Sequence, residues 1–286
     1  MRTSITARPL TDLAGDIQRP TEADDSTLYT RRRATNRFVV LTPSLSDVPG
    51  VFRNVEAGHG KYRTLLAQMQ RLRGRIYTQD GAVRRDELTS DGRHRPGADE
   101  RCWHVLTLDA NDNVVACLRY LDQRGARGFD DLCVRHAALA RCPASGGRLR
   151  GAVESAMERA RYARVAFGEV GGWAVAEAQR LTLEPLRIIL ATYGLLQLLG
   201  GSVGVATATF RHGSAAILRK IGLGPLVAEG DALPPYYDPH YDCQMEILGY
   251  DSRYPNPKYL DWVRALGAEI ANSPVICGEA ALAAVA

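Results

Sequence analysis

No run of about eighteen uncharged apolar residues occurs anywhere in the 286-residue chain, so the sequence offers no membrane-spanning helix. Its first residues, Met1-Arg2-Thr3-Ser4-Ile5-Thr6, lack the apolar stretch of a secretory signal, and a cytoplasmic location is expected. The six cysteines (Cys102, Cys117, Cys133, Cys142, Cys243 and Cys277) form no Cys-x-x-Cys pair and have no His-x-x-x-His beside them. That spacing supports neither a zinc site nor a disulfide framework, and the thiols are read as buried side chains. Neither a metal nor a tightly bound cofactor is expected. No Cys/His finger, helix-turn-helix or aromatic-interleaved strand pair accompanies the arginines, so nucleic acid is not an expected partner. Nor is any internal repeat visible.

What is present suits one principal globular domain: 45% hydrophobic and 24% charged residues over this length can bury a full core. The net charge of +4 is mild, but arginine clusters at Arg31 to Arg33, at Arg71, Arg73 and Arg75, and between Arg148 and Arg164. Most such patches are solvated faces, although they also suit a phosphate-bearing cofactor or an acidic protein. Residues 1 to about 35 carry no apolar periodicity and are read as a poorly ordered leader. The domain is expected over residues 36–250, with 251–286 as a C-terminal extension holding a short helix near Tyr259 to Ile270.

Within the domain, Arg37 to Leu41 reads as a strand. Leu65, Leu66, Met69, Leu72 and Ile76 recur at helical spacing, which predicts an amphipathic helix from about Lys61 to Tyr77. A polar loop follows to about Arg101. His104 to Leu108 and Val114 to Leu121 flank the turn-rich Asp109 to Asn113 and predict a β-hairpin. A helix follows near Arg148 to Tyr162. The strand from Val165 then meets a double glycine in Glu169-Val170-Gly171-Gly172-Trp173-Ala174-Val175, which predicts a bulge and backbone amides left unpaired in mid-sheet. Thr182 is placed to cap a helix that runs until Gly200-Gly201. A strand from Val203 to Phe210, a helix from Ser214 to Ile221 and a strand from Cys243 to Tyr250 complete the order.

Three segments carry a family resemblance. Leu72-Arg73-Gly74-Arg75-Ile76-Tyr77 resembles a first-helix Leu-Arg-x-x-x-aromatic motif. Val115 to Leu121, with Arg119, resembles a Val-x-Gly-x-Arg-Leu strand, and Glu169 to Val175 resembles a Glu-x-Ser-Arg-x-Ala-Val strand. Together they resemble the GCN5-related N-acetyltransferase (GNAT) superfamily, in its branch of acyl-homoserine-lactone synthases and N-acyl amino acid synthases, over roughly Arg37 to Tyr250. The resemblance implies an α/β (α+β) GNAT-like fold: a single mixed central sheet flanked by helices, with a splayed or bulged middle strand. It also implies an N-acyltransferase that takes an acyl-phosphopantetheine thioester, on acyl carrier protein or coenzyme A, and acylates an amino acid or related small amine.

The resemblance carries residues with it. Glu169 takes the place of the acid that assists proton removal, with Arg119 on the neighbouring strand as its partner or as a clamp for a carboxylate. Arg73 and Tyr77 are expected to orient the acceptor. The backbone of Gly171, Gly172, Trp173 and Ala174 would hold the thioester, with Thr209 on the next strand beside it; the Trp173 side chain itself is read as core. Three departures accompany these matches. Gly172 stands where the lactone synthases carry arginine, which argues against binding S-adenosylmethionine in their manner. Of the acidic pair expected after the first helix, Asp91 and Asp99 are the nearest candidates. The Arg/Gln-x-x-Gly-x-Gly/Ala loop of acetyl-CoA enzymes is replaced by Gln179-Arg180-Leu181-Thr182-Leu183-Glu184, without glycine, so a carrier-protein donor is favoured over coenzyme A. His212 is not favoured as a base, and no tyrosine lies at Ile217 or Leu218, where many acetyltransferases of this fold hold a general acid. The rivals are an acetyl-CoA-dependent small-molecule N-acetyltransferase and a catalytically silent module that binds a carrier protein or effector.

Overall fold

In a computed structural model, residues 36–44 and 47–278 are described; the leader expected over residues 1–35 and His212's side chain lie outside that description. Nine strands carry the architecture: β1 (Arg37–Leu41), β2 (Asn54–Ala57), β3 (Trp103–Leu108), β4 (Val114–Asp122), β5 (Ala166–Val175), β6 (Ser202–Thr209), β7 (Tyr236–Asp238), β8 (Cys243–Asp251) and β9 (Pro274–Cys277). Five helices join them: α1 (His59–Gln79), α2 (Gly146–Tyr162), α3 (Glu184–Leu198), α4 (Ser214–Lys220) and α5 (Leu260–Ala271). The sheet runs β7-β8-β6-β5-β4-β3-β1-β9-β2, with the short strand Gly224–Pro225 added against β8. It is mixed. β5 lies parallel to β6, and β9 lies parallel to both β1 and β2, while the remaining neighbours are antiparallel.

The elements form for the reasons their sequences give. α1 buries Tyr62, Leu65, Leu66, Met69, Leu72 and Ile76, a stripe at helical spacing that packs on Val39, Leu41, Leu106, Cys117 and Ala174. α2 buries Leu149, Val153, Ala156 and Met157 against Phe167, Val203 and Val205, on the same side of the sheet. The hairpin turn is closed by Asp109, whose carboxylate accepts from the amides of Asn111 and Asn113 at 2.9 Å each.

α3 is apolar almost all round because the sheet lies on one side of it and α5 on the other. The two helices touch backbone to backbone at Gly194 and Gly267. A Cβ at position 194 would come within 2.6 Å of the Gly267 Cα, so the approach requires glycine.

Two expectations need correction. The segment from residue 251, expected to trail the domain, supplies α5 and the interior strand β9, which is hydrogen-bonded on both edges. Its run Pro274-Val275-Ile276-Cys277 has Val275, Ile276 and Cys277 buried, as a parallel strand inside a sheet requires. The stretch expected as a polar loop before Arg101 contains two short 3₁₀ turns, Arg85–Glu87 and Asp99–Arg101, and the second places a carboxylate in the core.

Candidate active site

The sheet opens at its centre. β5 pairs with β6 only from Ala166↔Ser202 to Val170↔Ala206; beyond that β6 continues to Thr209 against β8 and β5 continues to Val175 against β4. The cause is a bulge. Between the pairs Arg119↔Gly171 and Cys117↔Ala174, Gly172 and Trp173 together face the single residue Leu118. The extra residue turns the strand away from its neighbour. Gly172 sits at φ +63°, a conformation that favours glycine, and a Cβ there would meet Arg119 Cγ at 3.0 Å and Arg73 Nη1 at 3.2 Å. The β6-facing backbone edge of Gly171 to Val175 is therefore left without a ladder partner among the described residues, as the double glycine predicts.

On the α1 side of the bulge lies a buried ionic cluster centred on Asp99. Arg73 donates to both Asp99 oxygens, at 2.9 Å from Nη1 to Oδ1 and through Nη2 to Oδ2. Gln70 Nε2 adds a bond at 3.0 Å and Arg119 Nη1 another at 3.2 Å. The Arg73 and Asp99 side chains are 1% and 2% exposed, against 21% for Arg119. Burial alone would raise the Asp99 pKa, but the hydrogen bonds and charge of Arg73 hold it below the ordinary carboxylate value. His104 Nε2 meets the Asp99 carbonyl oxygen at 2.8 Å, and burial pushes the His104 pKa down to about 4.

This geometry redistributes the sequence-derived roles. Arg73, expected to orient the acceptor, is sealed from solvent and fixes Asp99, which in turn orients Arg119. Arg119 pairs with Asp99 rather than with Glu169, because the bulge and the Asp99–Arg101 turn bring that carboxylate to it. Of the two acidic candidates, Asp99 belongs to this cluster, whereas Asp91 is exposed and bonded to Arg71 and Arg93. Glu169 accepts from Gln123 Nε2 at 2.7 Å and from the amides of Cys133 and Val134 at 2.8 Å each, so it also anchors the 3₁₀ turn Cys133–His136. Tyr77 OH donates to the Trp173 carbonyl at 3.2 Å, fixing the bulge to α1. Trp173 is half-buried rather than core, and its indole N–H has no partner among the described residues. Cys117 is buried beside the bulge, and burial pushes its thiol up to about 11, which makes it an unreactive core group. The thiols at Cys102, Cys117 and Cys277 are buried, and Cys133, Cys142 and Cys243 are partly so. Among the described residues no cluster of metal-ligating side chains occurs.

The open end of the gap is tied together at the C-terminal end of α1. Arg180, just past β5, grips both Asp80 oxygens at 3.0 and 2.8 Å, and Arg211, just past β6, donates to the Asp80 carbonyl at 2.5 Å. Thr209 shares its hydroxyl with Ser214 Oγ at 3.0 Å and the Arg211 carbonyl at 2.9 Å, so it organises the turn after β6. At the start of α3, the Thr182 hydroxyl accepts from the Glu184 amide at 3.1 Å, while Leu183 takes the capping position itself. The Glu184 carboxylate is buried there, accepting from Thr107 Oγ1 at 2.6 Å and beside Arg187 at 3.4 Å. Glu184 thus places a negative charge in the first turn of α3, with its carboxylate bonded to Thr107 and Arg187. Sequence reasoning missed Asp80 and His104. Asp80 had a local signal, as the polar residue that ends α1; His104 comes in through tertiary contact with Asp99.

No protein-family model matches the chain, and no curated protein matches it in sequence. Solved structures do resemble it. A CoA-dependent acyl-homoserine lactone synthase, BjaI, determined with SAM and isopentyl-CoA and also with MTA, aligns at TM-score 0.52 and 15% identity, covering 87% of this chain and 97% of that one. FeeM, an N-acyl amino acid synthase from uncultured soil microbes, aligns at TM-score 0.41 and 11% identity over 77% of this chain and 92% of its own. The likeness to the lactone synthase is one of fold: a mixed α/β, GNAT-like sheet flanked by helices.

Proposed function

We propose that the chain is an N-acyltransferase that moves an acyl group from a pantetheine-type thioester to the amine of a small acceptor carrying a carboxylate. The single observation that carries the reading is the bulge at Gly172, which parts β5 from β6 and leaves the Gly171 to Val175 backbone edge free to bind an extended thioester arm as an added strand would. The fold shared with a CoA-dependent acyl-homoserine lactone synthase supports it. In this reading the amine nitrogen attacks the thioester carbonyl carbon, the C–N bond forms, the C–S bond breaks and the thiol leaves. The amide of Trp173, in the bulge beside the open edge, stabilises the oxyanion. The amine loses its proton to Glu169, directly or through water, since Oε2 accepts from the Val134 amide and keeps accepting capacity. Arg119, one-fifth exposed and held by Asp99, retains guanidinium donors for the acceptor carboxylate.

The donor is assigned to a carrier protein rather than coenzyme A. Glu184 puts a carboxylate in the first turn of α3, where it disfavours a second anion, and the preceding loop has no glycine to admit a pyrophosphate. A carrier-bound arm keeps its single phosphate outside the cleft. A cytoplasmic location follows from this partner; among the described residues no helix is long and apolar enough to cross a membrane. The test compares one acyl group on carrier protein and on coenzyme A, against a mixed amino-acid pool, with product detected by mass spectrometry at low and high salt. Faster, salt-sensitive use of the carrier is expected. Equal or better use of coenzyme A, without a salt effect on the carrier, overturns the donor; absence of any acylated amine overturns the reaction.

A further inference from the structure

The open Gly171 to Val175 edge ends at two arginines with no part in the acyl transfer itself. Arg180 Nε donates to the carbonyl of Val175, the last residue of β5, at 3.4 Å, so its guanidinium stands at the wide end of the gap. Arg211 lies just past the end of β6, on the other side of the gap. Both reach Asp80 at the end of α1, Arg180 through the carboxylate and Arg211 through the backbone carbonyl. Two guanidiniums thus meet on one residue, and a single anionic group can lie between them.

The charges of this group do not balance. Asp80 is the counter-ion of Arg180, and both side chains reach solvent, at 19% and 29% exposed. Arg211 bonds only carbonyl oxygens among the described residues, those of Asp80 and Asp242, and has N–H donors left over from its five. Gly81 makes room for it: at φ +72°, a Cβ there would come within 3.2 Å of Arg211 Nη1. The reach also agrees. From the Trp173 amide to Val175 is two strand steps, about 7 Å, whereas a pantetheine arm, equal to roughly four extended residues, spans about 15 Å from sulfur to phosphate. An arm that lies along the edge with its thioester at the bulge therefore carries its phosphate past Val175 to the two arginines.

We propose that Arg180 and Arg211 receive the phosphate of the donor's pantetheine arm, and that Asp80 is a resident counter-ion which the phosphate displaces from Arg180. The inference rests on the acyl-transfer reading and specifies how its donor is held. Phosphate gives Arg211 the anionic partner it lacks and offers Arg180 a two-pronged acceptor in exchange for the carboxylate. These are side chains from both strands that border the gap, on the α1 side, and they need no glycine loop.

The test uses two probes that differ only by the phosphate, pantetheine and 4′-phosphopantetheine, in isothermal titration calorimetry. The natural protein is expected to bind the phosphorylated probe on the order of tenfold more tightly. Arg180→Gln and Arg211→Gln should each bring that ratio to within about threefold while the Kd for pantetheine stays unchanged, which shows that the cleft is still formed. Asp80→Asn should widen the ratio by at least about threefold, because the competing negative charge is gone. Absent or equal binding of the two probes by the natural protein, a ratio untouched by both arginine substitutions, or a ratio that does not widen in Asp80→Asn overturns the proposal and leaves the cluster as a structural tie. Coenzyme A, titrated alongside, separates the two sources of the phosphate: binding tighter than that of 4′-phosphopantetheine and lost in the arginine variants assigns the arginines to a pyrophosphate, and weaker binding assigns them to the phosphodiester of a carrier. If the turnover test yields no acylated amine, the acyl-transfer reading falls, and these ratios still decide whether the arginines take a phosphate.

Discussion

Replacing Asp99 by Asn tests the buried cluster directly. The substitution is nearly isosteric, so its cost is electrostatic: the Arg73 guanidinium, 1% exposed, loses the carboxylate charge it faces and keeps only neutral acceptors, the asparagine oxygen and the His94 carbonyl at 3.0 Å. Its Nε is already without a partner among the described residues. Removing one partner of a buried pair costs about 3–5 kcal/mol because the other charge stays buried and uncompensated. For a domain of this size each kcal/mol shifts Tm by about 2–4 °C, so Asp99→Asn should lower Tm by roughly 6–20 °C. Urea titration supplies the free energy, and a concurrent Arg73→Met should recover at least half of it, since an apolar replacement removes the stranded charge. Arg119 also loses its anchor, so kcat/KM for a carboxylate-bearing acceptor should fall even below the melting range. A loss under about 1 kcal/mol, or no recovery in the double variant, would refute the account of the cluster as mutually dependent charges.

Three further outcomes follow from the same geometry. Gly172→Ala meets a left-handed φ and the side chains of Arg119 and Arg73, and should cost about 1–2 kcal/mol in urea unfolding, whereas Gly171→Ala, with nothing within 4 Å of its Cβ, should be close to neutral in stability. Glu169→Gln should lower the acylation rate at least about tenfold without loss of the folded baseline in circular dichroism; full turnover in the folded variant removes Glu169 from the chemistry. His104 and His94, both held neutral with pKa values pushed down to about 4 by burial, bind fewer protons folded than unfolded between about pH 4 and the ordinary histidine value near 6.5. Their contribution to stability is therefore complete above about pH 6.5 and lost as pH falls toward 4. The urea midpoint should decline across that window, and His104→Phe should flatten the decline.

The sequence by itself determined the order of elements and the place of the opening. Alternation and helical spacing are local periodicities, so β1, α1, the β3–β4 hairpin, α2, β5, α3 and β6 were legible to within a few residues. The Gly171-Gly172 pair marked the bulge because only glycine tolerates that backbone without strain. What the tertiary structure decided was pairing between segments distant in the chain. Arg119 has two carboxylates within plausible reach in sequence terms, and it goes to Asp99 because a 3₁₀ turn beside β3 delivers that group into the space under Gly172. Glu169 turns instead to the amides at Cys133 and Val134, which no spacing rule connects to it. β9 looked like part of a tail because four residues carry too little periodicity to announce an interior strand, and its place between β1 and β2 exists only once both neighbours are folded.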